Sequence, residues 1–73
     1  MITIYSKPNC TFCVQAEELC KAKGLEYTVL KLDVDYTKEQ LLEACPVPVR
    51  SVPQIFIDGE HIGGFTELKA KLA

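Results

Sequence analysis

Cys10 and Cys13 are separated by two residues in Cys10-Thr11-Phe12-Cys13, a spacing that suits a disulfide able to form and break. Three residues of helix rise only ~4.5 Å, within the ~4.4–6.8 Å between Cα atoms that a disulfide tolerates. Exchange with another disulfide requires a thiolate. Cys10 follows the turn cluster Ser6-Lys7-Pro8-Asn9 and precedes a helical pattern. It therefore meets the unpaired N–H groups and the positive end of a helix dipole, and Lys7 adds a cation nearby. On these grounds Cys10 is the partly exposed attacking thiol, and Cys13, one turn further in, is the more buried resolving thiol.

Metal binding is the competing chemistry for such a pair. A closed zinc site needs four ligands, and Cys20, Cys45 and His61 have no knuckle spacing with Cys10 and Cys13. No metal is expected. Cys20 lies ~10 Å further along the same helix face, too far for a bridge. It reads as small core filler, as does Cys45. His61 reads as a strand-surface residue, since dithiol exchange needs no general base.

The 73 residues, 48% hydrophobic and 25% charged, are expected to form one domain over positions 1–73. A net charge of −2 with scattered Lys and Arg excludes a nucleic-acid footprint and a basic membrane-binding face. No apolar run approaches the ~20 residues that span a bilayer, and no signal-peptide pattern is visible. The expected location is the cytoplasm, where a structural disulfide framework is unusual.

The elements that position the cysteines follow from periodicity and punctuation. Ile2 to Tyr5 alternates apolar and polar residues as a strand does. A helix is predicted from about Thr11 to Lys23, with Cys13, Ala16 and Leu19 on its inward face and Gly24 as its stop. A second strand runs from Glu26 to Leu32, and Asp33 to Tyr36 connects. Thr37 and Gln40 have capping-box spacing at the start of a second helix, which Pro46 ends. Pro46-Val47-Pro48 is extended. Gln54 to Ile57 and Glu60 to Ile62 form a hairpin around Asp58-Gly59. Gly63-Gly64 frees the backbone, and Thr66 caps a last helix. The order β-α-β-α-β-β-α, with a right-handed parallel crossover first and an antiparallel hairpin last, predicts an α/β fold. Its four-stranded mixed sheet carries helices on both faces.

Three blocks of sequence resemble the glutaredoxin family, of the dithiol type, across nearly the whole chain. They are Tyr5 to Cys13, Arg50 to Ile57 with Val52-Pro53 before a strand, and His61 to Leu68 with Gly63-Gly64. The resemblance implies a thioredoxin-like fold in which Val52-Pro53 is cis and faces the cysteines. It also implies a glutathione-dependent oxidoreductase that reduces protein disulfides and glutathione mixed disulfides. Glutathione is then the reductant and a partner, proteins such as ribonucleotide reductase are clients, and the chain is a monomer.

By the same resemblance, Lys7 lies near the glycine carboxylate of glutathione, with Arg50 as a substitute for a basic residue that this chain lacks late in its second helix. Thr11 and Phe12 border the groove, Val52 and Pro53 offer backbone to an extended peptide, and Gly64, Phe65, Thr66 and Glu67 hold the γ-glutamyl end. Thr11 stands where the family commonly has proline. Two other readings follow from relatives of this kind. One is a redoxin that takes electrons from thioredoxin reductase. The other is a [2Fe–2S] carrier bridging two copies through the first cysteine and glutathione.

Overall fold

Ile2, Ile4 and Ser6 are buried while Thr3 and Tyr5 between them are half-buried. This alternation is that of a central strand whose two faces are both covered. The protein is described by a computed structural model that covers residues 1–45 and 52–72. Pro46-Val47-Pro48, expected to be extended, and Arg50 lie outside these described residues.

The elements are β1 (Ile2–Ser6), α1 (Thr11–Ala22), β2 (Tyr27–Lys31), α2 (Lys38–Ala44), β3 (Gln54–Ile57), β4 (Glu60–Gly63) and α3 (Phe65–Leu72). The order is the one predicted. The sheet order is β2-β1-β3-β4. β1 and β2 are parallel, with Ile2 opposite Tyr27 and Ser6 opposite Lys31. β3 is antiparallel to β1, with Ile4 opposite Ile55, and β4 is antiparallel to β3. The sheet is mixed and the fold is thioredoxin-like.

Two apolar clusters lie on opposite faces of this sheet. The first gathers Ile2, Ile4 and Ile55 with Ala16 and Cys20 from α1 and Leu68 from α3. The second gathers Leu41 and Cys45, at α2 and its end, with Tyr36, and Tyr5, Leu30 and Phe56 pack against them. β1 thus sends alternate side chains into different clusters, which is why its sequence alternates without a polar face.

Local chemistry explains most of the boundaries. Thr37 caps α2: the Gln40 N–H donates to Thr37 Oγ1 at 3.2 Å, and the Thr37 N–H donates to Gln40 Oε1 at 2.8 Å. α1 ends at Gly24, whose φ of +68° is the left-handed value that glycine takes without cost. The Leu25 N–H then reaches the Cys20 carbonyl at 3.0 Å and the Gly24 N–H reaches that of Lys21 at 3.1 Å, a Schellman closure.

The second strand is shorter than the expected Glu26–Leu32, because Leu32 already turns into the loop. Its N–H still donates to the Ser6 carbonyl at 2.9 Å. The last helix also differs from expectation: Thr66 is an exposed residue inside α3, not its cap. Gly64 is the cap, since its carbonyl accepts from Leu68 N–H at 3.0 Å and its N–H donates to Glu67 Oε1 at 2.8 Å. A carboxylate three residues into a helix reaches back more readily than a threonine already inside it.

Tyr36, expected only as part of a connection, is buried, and its hydroxyl donates to the Ser6 carbonyl at 2.7 Å. Its ring meets that of Tyr5 edge-on at 4.9 Å. This bond fixes the end of β1 just before the turn that delivers Cys10. Tyr36→Phe is expected to cost about 1 kcal/mol, the value of one buried hydrogen bond, since the Ser6 carbonyl keeps its bond from the Leu32 N–H, measured as a lower urea midpoint.

Candidate active site

The turn after β1 is closed by Asn9, which takes a left-handed φ of +59°, a conformation asparagine tolerates. Cys10 then adopts the extended backbone of an N-cap, with φ −105° and ψ 103°. Its carbonyl accepts from Val14 N–H at 3.2 Å, and its Sγ accepts from Cys13 N–H at 3.2 Å. The sulfur therefore fills the capping place usually held by a serine or aspartate oxygen. Negative charge on that sulfur would face the unpaired N–H groups and the dipole of α1.

Cys10 and Cys13 are joined by a disulfide with Cα atoms 5.2 Å apart. One expectation is corrected here. Cys10 is only 9% exposed against 5% for Cys13, so the attacking sulfur is not open to solvent while the bond is closed. Cys13 shields it on one side. On another, Cys10 Sγ lies 3.7 Å from the Val52 carbonyl oxygen. The Val52–Pro53 peptide is cis.

Among the described residues, two grooves hold most of the residues that the sequence grouped together, and only the larger is lined by Cys10. One, of about 200 Å³, has Phe12, Val52 and Pro53 on its near side and Gly64, Phe65, Thr66 and Glu67 on the other. Phe12, 59% exposed, stacks on Phe65 with ring centroids 6.0 Å apart. The second groove, of about 700 Å³, holds Lys7 and Thr11 together with Cys10 and Cys13. Lys7 thus lines the groove that does not contain the Gly64–Glu67 corner. Arg50 lies outside the described residues.

Gly64 lines the smaller groove, and Gly63 precedes it at the end of β4. Gly63 has φ +127°, and a Cβ there would come within 2.7 Å of Glu67 Oε1. The pairing between β3 and β4 slips beside it, between Ile55 and Phe56. Such an irregularity re-aims a strand end. The Glu67 carboxylate already occupies one N–H at the start of α3.

Sequence reasoning missed several lining residues. Gln54 lines the smaller groove, and its Oε1 lies 2.7 Å from Nε2 of His61. His61 is half-buried against the Phe56 ring, with centroids 5.0 Å apart, so it is less of a surface residue than expected. Strand alternation put Gln54 on the opposite face from Ile55, but nothing local paired it with His61. Val14 and Lys31 line the larger groove and also went unnoticed.

Cys20 and Cys45 are free thiols buried in separate clusters. Burial pushes both thiols up. Since folding raises them, the protonated thiols stabilise the protein fully below the ordinary cysteine value, and this contribution is lost as pH rises through the raised ones. Thermal unfolding is therefore expected to shift downward above about pH 9, and Cys20→Ala should flatten that shift. In the native protein both thiols should resist alkylation until unfolding.

Among the described residues no group of three His, Cys, Asp or Glu could hold a metal ion. No described helix is long and apolar enough to cross a membrane.

The glutaredoxin family model matches residues 2–62. The chain is 39% identical to the glutaredoxin of Vibrio cholerae over 75 aligned positions, covering 94% of this chain and 86% of that protein. Its fold superposes on reduced Escherichia coli glutaredoxin with a TM-score of 0.83 at 32% identity, over 97% of this chain and 91% of that one. A buckwheat glutaredoxin–glutathione complex superposes with a TM-score of 0.82 at 29% identity, over 97% of this chain and 66% of the other.

Proposed function

The chain belongs to the glutaredoxin family and is a thiol–disulfide oxidoreductase, and from that premise we propose that Cys10 is its nucleophile, Cys13 its resolving thiol and glutathione its reductant. The observation that carries the assignment is the position of the Cys10 sulfur. It caps α1, accepts the Cys13 N–H at 3.2 Å and lies 5.2 Å, Cα to Cα, from its disulfide partner.

The reduced enzyme attacks a client disulfide through the Cys10 thiolate. One sulfur of the client leaves as a thiolate, and the other remains bonded to Cys10. Cys13, deprotonated, then attacks Cys10 Sγ, releasing the second client thiolate and closing the Cys10–Cys13 bond. One glutathione thiolate opens that bond, and a second removes the first as glutathione disulfide. Two electrons pass from two glutathione molecules to one client disulfide. For a client–glutathione mixed disulfide, Cys10 takes the glutathionyl sulfur directly, and Cys13 is bypassed.

The smaller groove supports glutathione as the ligand. Phe12 and Phe65 give it apolar walls. The start of α3 offers N–H groups of the kind that bind carboxylates, and Gly63, having no Cβ, leaves the Glu67 side chain room to lie at that corner. Val52 presents backbone to an extended peptide. Thr66, exposed at the second position of α3, and Glu67 complete the γ-glutamyl end. The complex of the buckwheat relative with glutathione supports the same ligand. We place the reaction in the cytoplasm, with protein disulfides, including that of a ribonucleotide reductase, as clients and one copy of the chain as the working unit.

The test is equilibration of the protein with glutathione buffers of varied ratio, trapping the thiols with acid and reading the Cys10–Cys13 state by mass. A reversible two-electron titration that follows the squared glutathione concentration over its disulfide is expected. No response to glutathione, together with rapid reduction by a thioredoxin reductase, would sink the assignment of reductant.

A further inference from the structure

We propose that His61 is a positioning residue for the smaller groove: through its hydrogen bond to Gln54 it holds the start of β3, and with it the Val52-Pro53 wall, where the glutathionyl group needs it. This rests on the reading that glutathione occupies that groove.

β3 begins at Gln54, directly after the cis Val52–Pro53 peptide. Whatever places Gln54 therefore places the backbone beside Cys10, whose Sγ lies 3.7 Å from the Val52 carbonyl oxygen. On one side Gln54 pairs with Tyr5 of β1. On the other side the ladder to β4 is irregular. Phe56 lies opposite His61, but its neighbour Ile55 lies opposite Gly63, so Ile62 of β4 is skipped. A bulge of this kind disrupts the backbone pairing locally. Beyond it Gly64 lies against Pro53, close enough that a Cβ on Gly64 would come within 3.4 Å of the Pro53 carbonyl oxygen.

The bond from His61 crosses this interruption. Its Nε2 lies 2.7 Å from Gln54 Oε1, and diagonal neighbours on one face of a hairpin are within reach of long side chains. With the amide oxygen as the acceptor, His61 donates through Nε2–H. The imidazole is held in turn. It packs on Phe56 with centroids 5.0 Å apart, and Phe56 meets Tyr5 edge-on at 5.6 Å. Gln54 is buried. A buried amide whose oxygen loses a partner turns to find another, and here it would turn in the wall of the groove.

The test uses the reduced Cys13→Ser protein and two mixed disulfides of thionitrobenzoate, one with glutathione and one with free cysteine. The Cys10 thiolate attacks the glutathionyl or cysteinyl sulfur, a new disulfide forms to Cys10, and the coloured aryl thiolate leaves. The ratio of the two rates measures how well the groove holds what cysteine lacks, the γ-glutamyl and glycyl arms.

His61→Phe keeps a ring over Phe56 and removes the donor. It is expected to lower the ratio roughly three- to tenfold, the size of one hydrogen bond. His61→Gln brings an amide N–H to the place of Nε2 and should restore most of the ratio. Gln54→Leu should match His61→Phe, and the double variant should fall no further than either. A ratio unmoved by His61→Phe, even where both rates fall equally, would overturn the proposal, as would single losses that multiply in the double variant. Equal rates for the two disulfides in the unmodified protein would instead remove glutathione from the groove, and the proposal with it.

Discussion

Cys10→Ser is expected to reduce turnover of every disulfide substrate by on the order of a thousandfold or more, to the rate of free glutathione. A serine hydroxyl at the same cap would keep the bond from Cys13 N–H and so keep the helix, but at neutral pH it offers no nucleophile. Cys13→Ser should behave differently. It should retain reduction of glutathione mixed disulfides, which needs only one sulfur, and lose the route that closes the Cys10–Cys13 bond. Cys20→Ala should change neither, since that thiol is sealed in the core. The three variants, assayed with a glutathionylated peptide and with a protein disulfide under glutathione and glutathione reductase, separate the roles. Activity retained in Cys10→Ser would place the nucleophile elsewhere.

The second large effect is on stability. Leu68→Ala is expected to cost about 2–5 kcal/mol, the range for truncating a leucine in a packed core. Leu68 is fully buried in α3 and shares a cluster with Ile4, Ile55, Ala16 and Cys20. At about 0.05–0.15 kcal/mol per residue, a chain of 73 residues has only about 4–11 kcal/mol in total. The loss would show as a lower urea midpoint with little change in slope. The variant should also weaken glutathione binding, because α3 carries the Gly64–Glu67 corner. A shift below about 1 kcal/mol would mean that α3 is not held by this contact.

The elements written locally were legible in the sequence. Thr37 and Gln40 announce the start of α2 because both halves of the capping box are side chains three residues apart. Asp58-Gly59 announces its hairpin, and Gly24 its helix end, for similarly local reasons. The cysteine pair was legible because helix geometry alone brings Cys10 and Cys13 into bonding range.

What needed the folded chain was tertiary. Tyr36 sits among acidic loop residues, and only the arrival of Ser6 at 2.7 Å from its hydroxyl makes it core. The low exposure of Cys10 depends on Val52, which is 42 residues away in the chain. Lys7 and Glu67 read as one ligand site in sequence; in the fold Lys7 lines the groove beside Cys10 and Glu67 the groove beside Phe12. Thr66 looked like a cap because threonine caps well. Glu67 instead reaches back over one turn to Gly64, and that competition is decided by where the backbone bends at Gly63.

The place of β1 in the sheet has a consequence for how the chain is made. A ribosome delivers β1 before β2 and β3, yet β1 lies between them. Its parallel partner is complete when Lys31 emerges, but its antiparallel neighbour begins only at Gln54. Until then one long edge of the nascent sheet has no partner, and Ile4 lacks both Ile55 and Leu68 over it. Closure of non-local pairs of this kind is the slow part of folding. The sheet can therefore close over β1 only once β3 has been made, well after Cys10 and Cys13, so the cysteine pair exists in the growing chain before the core that positions it.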